Sequence, residues 1–170
     1  AARSRTPRHA RRGRHGGHRC TGAVVRRGGW GTGGLSPGGV LGTTPPPVVS
    51  RPTVHNGNDA GLLGTLSGTE PNGDGSMYQT STVPPGGGTL SYWWNGSTVD
   101  SITFDWQDAY ITATSGAILA TIQHTSQTTG GCVTQTFNMA AFAGQPMRPE
   151  CLDPEDGYVA ANARYVSSQT

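Results

Sequence analysis

Pro84-Pro85-Gly86-Gly87-Gly88 interrupts the most patterned part of the chain and leaves it few folds to adopt. Beyond the break Leu90, Tyr92 and Trp94 recur at every second position, and later Ile102, Phe104 and Trp106 do the same. Period two is the signature of a half-buried strand, and a run of prolines and glycines can continue neither helix nor sheet. Residues 76–110 also hold seven of the twelve aromatic residues. The pattern predicts antiparallel strands at the edge of a β-sandwich, carrying tryptophans, a construction used more for binding than for catalysis.

The same reading extends along the chain. Short strands are expected at Val48-Val49, Leu62-Leu63, Met77 to Val83, Thr89 to Trp94, Ser101 to Thr112, Ile118 to His124 and Val133 to Met139. Weaker ones follow near Met147 to Leu152 and Ala160 to Val166, with turns at His55 to Asn58 and Thr114-Ser115-Gly116. Many short strands, 27 glycines, 12 prolines and no convincing helix predict an all-β, antiparallel jelly-roll sandwich. No apolar run reaches the roughly 20 residues of a transmembrane helix.

Charge divides the chain. Residues 1–58 hold ten arginines and no acid, whereas residues 59–170 hold ten acids and only Arg148 and Arg164. Residues 1–28 therefore read as a disordered basic tail, 29–47 as a Gly/Pro-rich linker ending in Pro45-Pro46-Pro47, and 48–170 as the sandwich. Nine arginines in the tail could attract nucleic acid by charge. The tail has no interleaved aromatics before Trp30 to stack on bases, so the reading goes against nucleic acid. Of the three cysteines, Cys132 and Cys151 pair only if their strands are neighbours, which would leave Cys20 free.

The strings GTTPPPVVS (42–50), AGLLGTLSGTEPNGDGSMYQT (60–80), VPPGGGTLSYWW (83–94), DSITFDWQDAYI (100–111), SGAILATI (115–122) and QTFNMAAFAGQ (135–145) follow one another in a suggestive order. Together they resemble a jelly-roll accessory module, MAM-like or carbohydrate-binding-module-like, of the kind appended to secreted microbial sedolisin/kumamolisin-type peptidases. The resemblance implies an extracellular or cell-surface accessory domain without catalysis of its own. The chain departs from that pattern at Gly29-Trp30-Gly31-Thr32 in place of a Phe-Glu opening, and at Cys132 in place of a Trp. It also closes on Tyr165-Val166-Ser167-Ser168 in place of Tyr-Val-Asp-Asp. The missing acids are those that hold a structural calcium in such folds.

Several constellations could carry chemistry. Glu70, Asn72 and Asp74 set oxygen side chains at alternate positions beside glycines, as in the first half of a calcium loop. The twelfth position carries Ser81 and not a bidentate acid, which favours a plain polar hairpin loop. Glu150, Asp153, Glu155 and Asp156 read as a second acidic cluster in a Pro-broken loop, which calcium or plain solvation would explain, with solvation favoured. Asp105 and Gln107 alternate away from Phe104 and Trp106, so they are expected to face solvent and take sugar hydroxyls. Trp93 points opposite to Tyr92 and Trp94, which makes it an exposed stacking platform, with Tyr110 as the second ring. Trp94 and Trp106 are expected in the core, and His124 is expected to pack at a strand end.

No nucleophile elbow and no H-E-x-x-H pair is present, and Gly86-Gly87-Gly88 precedes no helix that could receive a phosphate. Asn95-Gly96-Ser97 is a glycosylation sequon. The sequence thus favours a non-catalytic secreted module that binds a glycan or polymeric surface. The rival is a structural or adhesion module that self-associates through its strand edges into fibres.

Overall fold

The computed structural model describes residues 38–42, 48–50, 59–64, 72–156 and 163–169. They form a β-sandwich of two antiparallel sheets. The first sheet orders β1 (Gly38–Gly42), β4 (Asn72–Gln79), β10 (Pro146–Asp156), β7 (Gln107–Thr112) and β8 (Ile118–Thr125), with the short β5 (Ser81–Thr82) also paired to β10. The second orders β2 (Val48–Ser50), β3 (Asp59–Gly64), β11 (Ala163–Gln169), β6 (Thr89–Ser97) and β9 (Val133–Asn138). The chain crosses repeatedly between the sheets, as the expected jelly roll requires. Among the described residues the one helical element is a 3-10 turn, Ala140–Phe142.

Alternation explains the core. Leu90, Tyr92 and Trp94 of β6 point inward and meet Met77 of β4, Ala109 and Ile111 of β7, and Met147 and Cys151 of β10. The proline-glycine break makes the turn expected of it. Gly87 sits at φ 78° and donates to the Pro84 carbonyl at 2.8 Å, and a Cβ there would approach Ala140 Cα to 2.9 Å. That double demand explains a glycine at this point.

Three expectations need correction. The segment 29–47 contains β1, which pairs with β4 from Gly38↔Gln79 to Gly42↔Gly75, so part of the supposed linker is sheet. Residues 101–106 are not strand: Phe104 N–H and Asp105 N–H both donate to the Ser101 carbonyl at 3.0 Å, curling the chain into a turn. Near Met147 to Leu152, where three prolines suggest weakness, β10 runs for 11 residues at the centre of the first sheet. Its β4 ladder starts at Glu150 and its β5 ladder ends at Met147, leaving Arg148 and Pro149 without a ladder partner on that side. A residue lacking an N–H does least harm there. Cys132 and Cys151 meet the other outcome left open for them: Cys151 is a free, buried thiol and Cys132 is disulfide-bonded, so the two do not pair with each other. Cys20 and the basic tail lie outside the described residues.

Candidate functional site

Because Gln107, Ala109 and Ile111 point into the sandwich, Asp108, Tyr110 and Thr112 stand on the outer face of the first sheet. Asp108 organises that face. Its Oδ2 accepts from Trp106 Nε1 at 2.8 Å and from the Tyr110 hydroxyl at 2.5 Å, and its Oδ1 lies 2.7 Å from His124 Nδ1. His124 reaches it from β8, where it is registered opposite Asp108. The carboxylate is only 3% exposed, so it is enclosed by the rings it holds. The Trp106 and His124 rings lie 5.8 Å apart with a 55° tilt. Burial first, and then the hydrogen bond and charge of Asp108, push the Tyr110 hydroxyl above its ordinary pKa, so it remains a neutral donor.

One strand further in, Glu150 of β10 stands opposite Tyr110 on one side and Tyr78 on the other. Its two oxygens accept from Ser76 Oγ at 3.1 Å and Thr112 Oγ1 at 3.3 Å. Arg148, two residues along the same face, lays its guanidinium over the Tyr78 ring, 4.5 Å from the centroid. Tyr78 in turn lies across Gly39 of β1, where a Cβ would come within 2.7 Å of its hydroxyl oxygen. From β8 to β4 the face crosses three inter-strand steps, about 14 Å at the usual strand spacing. It offers aromatic rings, the Arg148 guanidinium and the carboxylates of Asp108 and Glu150, held in fixed positions.

The residues singled out from sequence distribute differently. Tyr110 belongs to this face, but Trp93 stands half-buried on the outer face of the other sheet, opposite Thr134 and Ser167, so the two rings share no surface. Asp105 and Gln107 do not face solvent: they are 1% and 0% exposed. The turn at 101–106 breaks the alternation that was to carry them outward, leaving Phe104 54% exposed and Trp106 bonded to Asp108 outside the core. Trp94 is core as expected. Asn72 and Asp74 are not in a loop but in β4, opposite Asp156 and Pro154, and Asn72 Nδ2 donates to the Asp156 carbonyl at 2.7 Å. Glu70 lies outside the described residues.

The described acids best placed for a hard cation are Asp100, Asp105 and Asp156, whose carboxylate oxygens come within 4.8 Å of one another. Sequence reasoning passed over His124, Glu150, Arg148 and Tyr78 as site residues. The stripe Trp106-x-Asp108-x-Tyr110 was the available signal, since its members share one face at period two.

No protein-family model matches the chain, and no curated protein matches it. Solved structures do share its fold. The carbohydrate-binding module TmCBM61, in complex with β-1,4-galactotriose, superposes with a TM-score of 0.60 at 14% identity, covering 81% of this chain and 89% of that one. The K1 cleaved adhesin domain of Lys-gingipain from Porphyromonas gingivalis W83 gives 0.58 at 11% identity, covering 87% and 99%. A structure of promiscuous carbohydrate-binding modules of the β-sandwich superfamily gives 0.53 at 12% identity, covering 81% and 58%. At these identities the likeness establishes a β-sandwich of the architecture used by carbohydrate-binding modules and adhesin domains. Nothing ties the chain to the sedolisin/kumamolisin peptidases beyond the resemblance of its strings.

Proposed function

We propose that this protein is a non-catalytic glycan-binding module whose binding surface is the outer face of the first sheet. The observation that carries the reading is the Asp108 carboxylate holding Trp106, Tyr110 and His124 at once. Sugars present C–H faces to aromatic rings and hydroxyls to polar groups, and rings already fixed in place lose little freedom on binding. Asp108 is itself enclosed and already held by those three groups, which suits it to orienting rings and not to acid–base chemistry. Two of the structures that share the fold are described as carbohydrate-binding modules, which supports the assignment. Secretion, and attachment to a larger hydrolase or surface protein, follow from the resemblance of residues 42–145 to accessory modules.

The test is affinity electrophoresis against a polysaccharide panel with Trp106→Ala and Trp93→Ala. Trp106→Ala is expected to lose retardation on the bound polysaccharide, while Trp93→Ala retains it. Retardation lost only with Trp93→Ala would move the site to the second sheet, and no retardation of the wild-type protein by any polysaccharide would end the glycan reading.

A further inference from the structure

Arg148 is a side chain that the aromatic cluster around Asp108 does not use. Its Nε is buried and has no hydrogen-bond partner, and among the described residues its guanidinium makes no ion pair. Stacking on Tyr78 fixes the group without satisfying its donors. Burial keeps the Nε out of a ligand's reach, so an acceptor arriving from outside would meet the two terminal nitrogens of the guanidinium fork. The obvious internal acceptor, Glu150, is held by Ser76 and Thr112 instead. A donor fork and a carboxylate with acceptor capacity to spare thus stand side by side on one face, two residues apart on β10.

We infer that Arg148, Glu150 and Tyr78 form a second subsite for a neutral sugar, and that the ligand is a neutral oligosaccharide spanning from Trp106 to Tyr78. The inference rests on the glycan-binding reading. A sugar hydroxyl both donates and accepts, so neighbouring hydroxyls match Glu150 and Arg148 together. A uronate or sulfate would match Arg148 alone and would meet the charges of Glu150 and Asp108. Within residues 59–170, ten acids against two arginines disfavour a polyanion at this face; the ten arginines of residues 1–58 are the part of the chain that would attract one. Length follows from spacing. His124 lies on β8 and Tyr78 on β4, three strands away at roughly 4.8 Å per step, more than one sugar ring covers.

The experiment is calorimetric titration of the protein with neutral gluco-, galacto-, manno- and xylo-oligosaccharides of one to four units, and with trigalacturonate. For the series that binds, affinity should rise about tenfold or more from monosaccharide to trisaccharide, and trigalacturonate should bind more weakly than the neutral trimer. Arg148→Met keeps the packing stem and should erase the gain with length. Arg148→Lys, which keeps the charge but not the fork, should erase most of it. Trisaccharide binding abolished by Trp106→Ala yet unchanged by Arg148→Met would sink the subsite and leave the glycan reading standing. Preference for trigalacturonate, lost with Arg148→Met, would replace the neutral class by an anionic one. No binding of any sugar would sink both readings. Should the Arg148 variants not fold, affinity independent of chain length in the wild-type protein overturns the inference by itself.

Discussion

Removing Asp108 tests the platform directly. Its carboxylate takes three hydrogen bonds, from Trp106, Tyr110 and His124. A hydrogen bond to a charged group contributes about 1.5–3 kcal/mol. The sum overstates the loss in Asp108→Ala, because Trp106 and Tyr110 are only half-buried and the His124 side chain is 52% exposed, so the freed donors regain water. A net destabilisation of about 2–3 kcal/mol is expected, which the about 5–15 kcal/mol of a typical domain tolerates. For a sandwich of this size that is a fall in thermal midpoint of roughly 8–12 °C. Binding should suffer separately. Three rings released from Asp108 must be fixed again by the ligand, at about 0.5–1.5 kcal/mol each, which weakens the dissociation constant by roughly 10- to 2,000-fold. Asp108→Asn retains the volume and one acceptor oxygen, so its loss of affinity should stay below about tenfold. Calorimetric titration with the tightest oligosaccharide, beside thermal melts of each variant, reads both effects. If Asp108→Ala melts early yet binds as the wild type does, the rings are not the binding surface and the reasoning fails.

Two further outcomes concern the scaffold. Burial first, and then the Glu150 carboxylate, push the Cys151 thiol from 9.0 up to about 12. The unfolded chain therefore ionises at a lower pH than the folded one, so the contribution of Cys151 to stability is fully present below pH 9 and is lost by about 1.4 kcal/mol per unit as pH rises from 9 towards 12. Burial holds the Tyr92 hydroxyl neutral in the fold as well, which steepens the loss above its ordinary pKa of 10.0. Cys151→Ala should flatten the decline between pH 9 and 10 in denaturant titrations; an unchanged slope would assign it to other groups. In β6, a Cβ on Gly96 would lie 2.5 Å from the Gln127 carbonyl oxygen and 2.7 Å from the Trp94 ring. Gly96→Ala is expected to cost about 1–3 kcal/mol through overpacking, and an unchanged midpoint would mean that residues 126–130 yield freely.

The local pattern of the chain determined the fold class and most of the described strands, while β1, the turn at Ser101 and the length of β10 escaped it. Period-two alternation at Leu90, Tyr92 and Trp94 and the Pro84 to Gly88 break are short-range properties, and both stand in the structure as the residues imply. The same reasoning misplaced Asp105 and Gln107, because alternation holds only while the chain stays extended and the Ser101 turn ends it before β7 begins. What faces what was a matter for the tertiary structure. Trp93 and Tyr110 lie on different sheets because β6 and β7 do, and no spacing along the chain records which sheet a strand enters. Asp108 meets His124 across a β7–β8 ladder, and Glu150 meets Tyr78 and Tyr110 only because β10 runs between β4 and β7. Strand pairing is set by how the whole core closes, whereas turns and alternation are set by neighbours in sequence. The fold could therefore be read from residues a few positions apart, while the candidate site is assembled from residues up to 74 positions apart.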